Sequence, residues 1–163
     1  MSFFSILRAN YPKDDPCEAH NEKGELLFKN QCAIRISYAM KKSGISLASF
    51  PAARKCWVHK GHDHVLASKE LADWLDKGVV SQVGKSRDVT GDDWRSKVLD
   101  KKGIICFEDY YASSDASGGD HIDLWDGSSL TGLGSWLRTV GAANADCTGP
   151  PLANRPANDR RRK

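Results

Sequence analysis

The chain has no apolar run near the roughly 18 residues that a membrane helix needs, so membrane insertion is not expected. It has no Cys-x-x-Cys pair, which excludes a zinc ribbon and a thioredoxin-type dithiol. The helical His-x-x-x-His spacing is absent too. The opening "MSFFSILRANYPKDD" carries neither a cationic lead nor a small-residue cleavage site, so it does not read as a secretory signal. The expectation is synthesis in a bacterial cytoplasm, with any work outside it depending on another export route. A basic folded body is lacking as well. The formal charge is +3, but residues 148–163 hold Arg155, Arg160, Arg161, Arg162 and Lys163 against Asp159, a sum of +4. Residues 1–147 therefore sum to −1, and no nucleic-acid partner is expected, because such a domain carries its basic patch on the fold.

What is present is ordinary globular material: 40% apolar and 28% charged residues over 163, enough for one domain with its own core. The expected organisation is a single domain over 1–147 and a Pro-, Asn- and Arg-rich basic tail over 148–163, expected to be disordered. Apolar spacing predicts helices over 3–9, 30–43 and 68–77. Asn30 and Ser68 are the candidate N-caps of the last two, and Gly44 and Gly78 their stops. A further helix is expected from Thr90, where Thr90 and Asp93 have capping-box spacing. "GIICFED" and "HIDLWDG" read as strands bounded by turn formers, and "SWLRTVGAA" as either strand or helix. Helices first and strands after argue an α+β fold.

Two motifs invite over-reading. "VGKSRD" ends like a phosphate-binding loop, but the first glycine that motif requires falls on Val79, and the segment reads as a surface turn. "WVHKGHDHV" gathers His59, His62, Asp63 and His64, which offer ligand types for a metal-dependent hydrolase, but spacing supplies two ligands on one face at most. The segment reads as a polar or cleft-lining loop, and no metal or cofactor is expected.

Of the five cysteines, Cys17, Cys32, Cys56, Cys106 and Cys147, only Cys32 opens a strong helix. Helix N-termini stabilise thiolate. His121 begins a strand after two glycines, and Asp123 falls on the same strand face. A cysteine on a helix N-terminus, a histidine on a strand and an orienting carboxylate make a cysteine-hydrolase set. The competing reading is a binding module in which Cys32 is a small core residue.

"NQCAIRISYAM", "KKGIICFED" and "GGDHIDLWDG" together resemble the fourth family of type VI secretion amidase effectors. These are peptidoglycan-cutting toxins with a papain-like fold related to the NlpC/P60 peptidases. The resemblance implies N-terminal helices packed on an antiparallel sheet, with Cys32 as nucleophile and His121 as general base. Gln31 or Asn30 is implied as a donor to the oxyanion. The implied substrate is the γ-D-glutamyl–diaminopimelate amide of the stem peptide, cut in the target cell's periplasm after delivery by the type VI machinery. A cognate immunity protein is implied as partner, and the loop 112–120 before His121 is where it is expected to insert. The family's third catalytic residue, an Asp about eleven positions after the histidine, is Gly132 here. Asp123, with Asp126 second, or a Cys–His dyad is expected in its place. A housekeeping wall peptidase of the same fold is the nearest alternative.

Overall fold

The computed structural model describes residues 1–59, 63–111 and 119–132. The basic tail, "SWLRTVGAA", Cys147, His62 and most of the 112–120 loop lie outside the described residues. Helix α1 (Phe3–Ala9) starts at Ser2, whose hydroxyl accepts from the Ser5 amide at 3.2 Å. Helix α2 (Cys32–Lys42) buries Ala33, Ile36, Ala39 and Met40 on one stripe. It ends in a Schellman closure: Ile45 N–H donates to the Met40 carbonyl and Gly44 N–H to that of Lys41, with Gly44 at φ +84°. Helix α3 (Ser68–Asp76) buries Leu71, Trp74 and Leu75. Helix α4 (Trp94–Val98) is a short turn.

Strands β1 (Gly103–Tyr111) and β2 (Gly119–Trp125) pair antiparallel, with Ile105 opposite Asp123 and Phe107 opposite His121. The register slips between Phe107 and Tyr111. Strand alternation sorts the two faces. Ile122 and Leu124, flanked by Ile104 and Cys106, pack with Leu7, Ile36, Met40, Leu71 and Trp74 into the main core. Ile105, Trp125 and Leu130 pack on the other face with Trp94, Val98 and Phe107. The fold is α+β, with helices against a small antiparallel sheet.

Several local expectations are corrected. Asn30 is not the cap of α2; the helix begins at Cys32 with Gln31 in the cap position, and no side chain caps it. Ser68 is the first helical residue of α3, after Ala67. The capping box at Thr90 does not form: the Asp93 carboxylate pairs with Lys97 at 2.8 Å and the Thr90 amide donates to Asp88. The "GKS" segment is irregular exposed chain just past the turn at 80–83, and the Ser86 amide and hydroxyl both donate to Asp76, at 3.0 and 2.6 Å.

Candidate active site

Cys32 occupies the first turn of α2, ahead of the hydrogen-bond ladder, whose first rung runs from the Arg35 amide to the Gln31 carbonyl at 2.8 Å. The amides of Cys32, Ala33 and Ile34 therefore have no carbonyl partner in their own helix. Beneath the helix, Met40 and Ile36 fix its axis against Ile122 and Leu124. The same packing brings the sulfur to β2, where the Ile122 N–H and the His121 side chain both hydrogen-bond it. On the opposite side the Ser68 hydroxyl lies 3.0 Å from the sulfur. Burial alone would push this thiol up, but the bonds from His121, Ser68 and the Ile122 amide outweigh burial and lower its pKa from the ordinary 9.0.

His121 is buried, with Phe107 stacked along its ring at a centroid distance of 6.4 Å. Its Nε2 stands 3.9 Å from Asp123 Oδ2. Burial would lower the imidazole pKa, yet the Asp123 carboxylate and the Cys32 sulfur together raise it from 6.5 to about 9. Both shifts favour the charged forms, a thiolate facing an imidazolium.

Asp123 is fully buried and held from three sides. Oδ1 accepts from the Leu124 amide at 2.7 Å, Oδ2 from the Gly132 amide at 2.9 Å, and the Tyr11 phenol also bonds the carboxylate. Burial, and then Asp123, drive the Tyr11 phenol well above its usual range, so it stays a donor. Gly132, the position where the resemblance places the third catalytic residue, here offers its backbone to Asp123. Asp126 is engaged elsewhere. Burial opposes its ionisation, but the Ser129 and Ser128 donors and Arg8, 3.3 Å away, hold its pKa at about 2. A pocket of about 190 Å³ lined by Arg8, Tyr11, Lys13, Arg35 and Gly132 adjoins these groups, with Arg8 paired to Asp126 and Arg35 to Asp15 at 2.7 Å.

Gln31 is buried, and its Nε2 donates to the carbonyls of Cys17 and Phe28 at 2.9 and 2.6 Å. Both amide hydrogens thus anchor the approach to the helix, while Asn30 is exposed. Sequence reasoning missed Ser68 and Tyr11 as members of the site. Ser68 carried only a signal that fits an N-cap equally well, and nothing local marked Tyr11.

The polar-loop reading of the histidine cluster is corrected. His64 is 1% exposed, and His59 and His64 lie with Cys17 and Cys56 in a cluster whose ligand atoms are all within 4.8 Å of one another. Neither Cys32 nor His121 belongs to it, and His62, the remaining histidine of the metal-dependent reading, lies outside the described residues.

The family model of the type VI secretion system amidase effector protein 4, Tae4, matches residues 28–155. No curated protein matches the chain. Among solved structures, the chain is similar to the Tae4 effector from Salmonella typhimurium, crystallised in complex with the immunity protein Tai4 from Enterobacter cloacae. The TM-score is 0.53 at 19% identity, over 80% of this chain and 82% of that one, a likeness of fold.

Proposed function

Because the chain belongs to the type VI secretion amidase effector 4 family, antibacterial effectors that act on peptidoglycan, we propose that it works by cysteine nucleophile catalysis from Cys32. The papain-like, NlpC/P60-type fold suits that chemistry. The observation that carries the reading is the thiol of a helix N-terminus bonded at once to His121, Ser68 and the Ile122 amide, with its pKa lowered despite burial. A core cysteine has no need of three polar partners; the half-buried Cys106 thiol, by contrast, is pushed up to about 12, first by desolvation and then by nearby carboxylates.

The Cys32 thiolate attacks the carbonyl carbon of the γ-D-glutamyl–diaminopimelate amide. The oxyanion is taken by the unladdered amides at the start of α2, that of Cys32 among them. His121, charged and aligned by Asp123, gives its proton to the departing diaminopimelate amine as the C–N bond breaks. Neutral His121 then takes a proton from water, which attacks the thioester and frees Cys32. Asp123 serves as the third member, with Tyr11 and the Gly132 amide fixing it. Gln31 acts as an anchor of the helix entrance through Cys17 and Phe28. Arg8 and Arg35 on the pocket wall are paired with Asp126 and Asp15, which leaves the Lys13 ammonium beside them to meet a carboxylate of the stem peptide. A cognate immunity protein is the expected partner, entering beside the 112–120 loop, and the site of action is the target cell's periplasm.

The test is mass analysis of fragments released from purified sacculi. Products cut between D-glutamate and diaminopimelate are expected, and Cys32→Ala should lower their rate by about 10⁴-fold or more with an unchanged circular dichroism spectrum. Undiminished release by Cys32→Ala would refute cysteine catalysis. Cleavage at another bond would refute the substrate assignment alone.

A further inference from the structure

The geometry points to a structural zinc(II) site formed by Cys17, Cys56, His59 and His64. Their four ligand atoms fall within 4.8 Å of one another. The Cys17 and Cys56 sulfurs are 3.9 Å apart, and His59 Nδ1 is 3.5 Å from the first and 3.7 Å from the second. With Zn–S near 2.3 Å and Zn–N near 2.05 Å, a tetrahedron has edges of about 3.8 Å for S–S and about 3.6 Å for S–N. The three spacings among Cys17, Cys56 and His59 lie within about 0.2 Å of those edges, and His64 closes the set within 4.8 Å. A disulfide needs sulfurs at about 2.05 Å, roughly half the separation found.

The chain builds this cluster deliberately. Lys55 and Val65 pair as an antiparallel bridge, and the Cys56 amide donates to the His64 carbonyl at 2.7 Å, so the two ends of the Cys56–His64 segment are clamped side by side. The Val65 amide donates to Ser37 Oγ at 3.0 Å, which seats the clamp on α2. Cys17 arrives from the N-terminal loop, its carbonyl held by Gln31. Ile34, on the face of α2 away from the main core, packs against Cys17, Ala19 and Cys56 and keeps the cluster dry. Cys17, Cys56 and His64 are buried, whereas solvated histidines without a role seldom collect around two buried thiols.

Two thiolates and two imidazoles are the donor set of closed structural zinc sites, and soft sulfur disfavours magnesium and calcium. Zinc binding releases the two thiol protons to solvent. The resulting centre, one Zn²⁺ with two thiolates and two neutral imidazoles, carries no net charge, which suits a buried position. All four positions are filled by protein, so the metal has no open coordination place for substrate. Its role is to tie the N-terminal loop to the 56–64 segment beneath α2 and, through the Gln31–Cys17 bond, to brace the turn that presents Cys32.

The experiment uses the full chain purified without an oligohistidine tag under reducing conditions, with metal content read by plasma mass spectrometry. About one zinc per chain is expected. Cys56→Ser and His64→Ala should lower it at least tenfold, while Cys106→Ser and Cys32→Ala keep it. Cobalt(II) exchanged into the wild-type protein should show the intense visible bands of a tetrahedral site with thiolate charge transfer, a readout that needs no variant to fold. Wild-type protein that takes up neither zinc nor cobalt when each is supplied in equimolar amount would overturn the proposal. So would a Cys17–Cys56 disulfide, found by peptide mapping, that persists in that reduced protein. Metal content is independent of which peptide bond is cut, so failure here leaves the amidase reading untouched, and the reverse.

Discussion

At the scale of single residues, the sulfur of Cys32 is tuned by three donors, and each leaves a different signature. Burial opposes the thiolate; His121, Ser68 and the Ile122 amide favour it. With Ser68→Ala one of these donors is lost, so the acid limb of kcat/KM should move to higher pH, and the rate below the optimum should fall by about 10-fold. A limb that stays in place would remove Ser68 from the site. The alkaline limb belongs to His121, whose pKa is raised from 6.5 to about 9. Activity should therefore form a bell that falls at the alkaline side near pH 9, as the imidazolium loses its proton. The linked stability has the same sign. The contribution of charged His121 is complete below pH 6.5 and is lost as pH rises through about 9, so urea midpoints of wild-type and His121→Ala should converge over that window. Asp123→Asn keeps the shape and removes the charge; turnover should drop by about 10²- to 10⁴-fold, and the alkaline limb should shift to lower pH. Unchanged turnover would leave a Cys–His dyad.

At the scale of elements, α2 positions the nucleophile by packing more than by capping. It has no side-chain N-cap, and Met40 and Ile36 are fully buried against β2 and α3. Met40→Ala should cost about 2–5 kcal/mol of stability, read as a fall in urea midpoint, and the helix that carries Cys32 should loosen with it. A midpoint within error of wild type would mean that the core closes over the gap. The same packing explains what could be read in advance. Cys32, Ile36 and Met40 repeat at helical spacing, so α2 was legible, and so were β1 and β2 from their β-branched runs. Asp123 was legible by strand parity with His121. The α4 start was not, because the Asp93 carboxylate went to Lys97 instead of capping. Ser68 was misread because a serine at a helix start looks the same whether it caps the helix or reaches across to a sulfur. The Cys17–Cys56–His59–His64 cluster was hidden for another reason. Spacing rules see ligands that are near in sequence, and Cys17 meets the others only through the fold.

At the scale of the whole molecule, the chemistry proposed for Cys32 has no substrate in the compartment where the chain is made, since peptidoglycan lies outside the inner membrane. Toxicity should therefore depend on address. The chain produced in the cytoplasm of a Gram-negative host should be tolerated, whereas the same chain carrying a fused export signal should stop growth and lyse the cells. Three further arms separate the causes. Exported Cys32→Ala should be harmless if catalysis is the damaging act, and lysis by that variant would shift the toxic property to binding. An immunity protein from a Tae4 system, co-exported, should restore growth in proportion to its affinity for the cleft, and a Tae4-type site left open by every such partner would argue for a different docking surface. Exported Cys56→Ser should lose potency through stability, with less folded protein recovered from the periplasm and near-normal activity per folded molecule at low temperature. Normal recovery with abolished activity would instead place Cys56 close to the reacting atoms, contrary to a closed site whose four donors exclude Cys32 and His121.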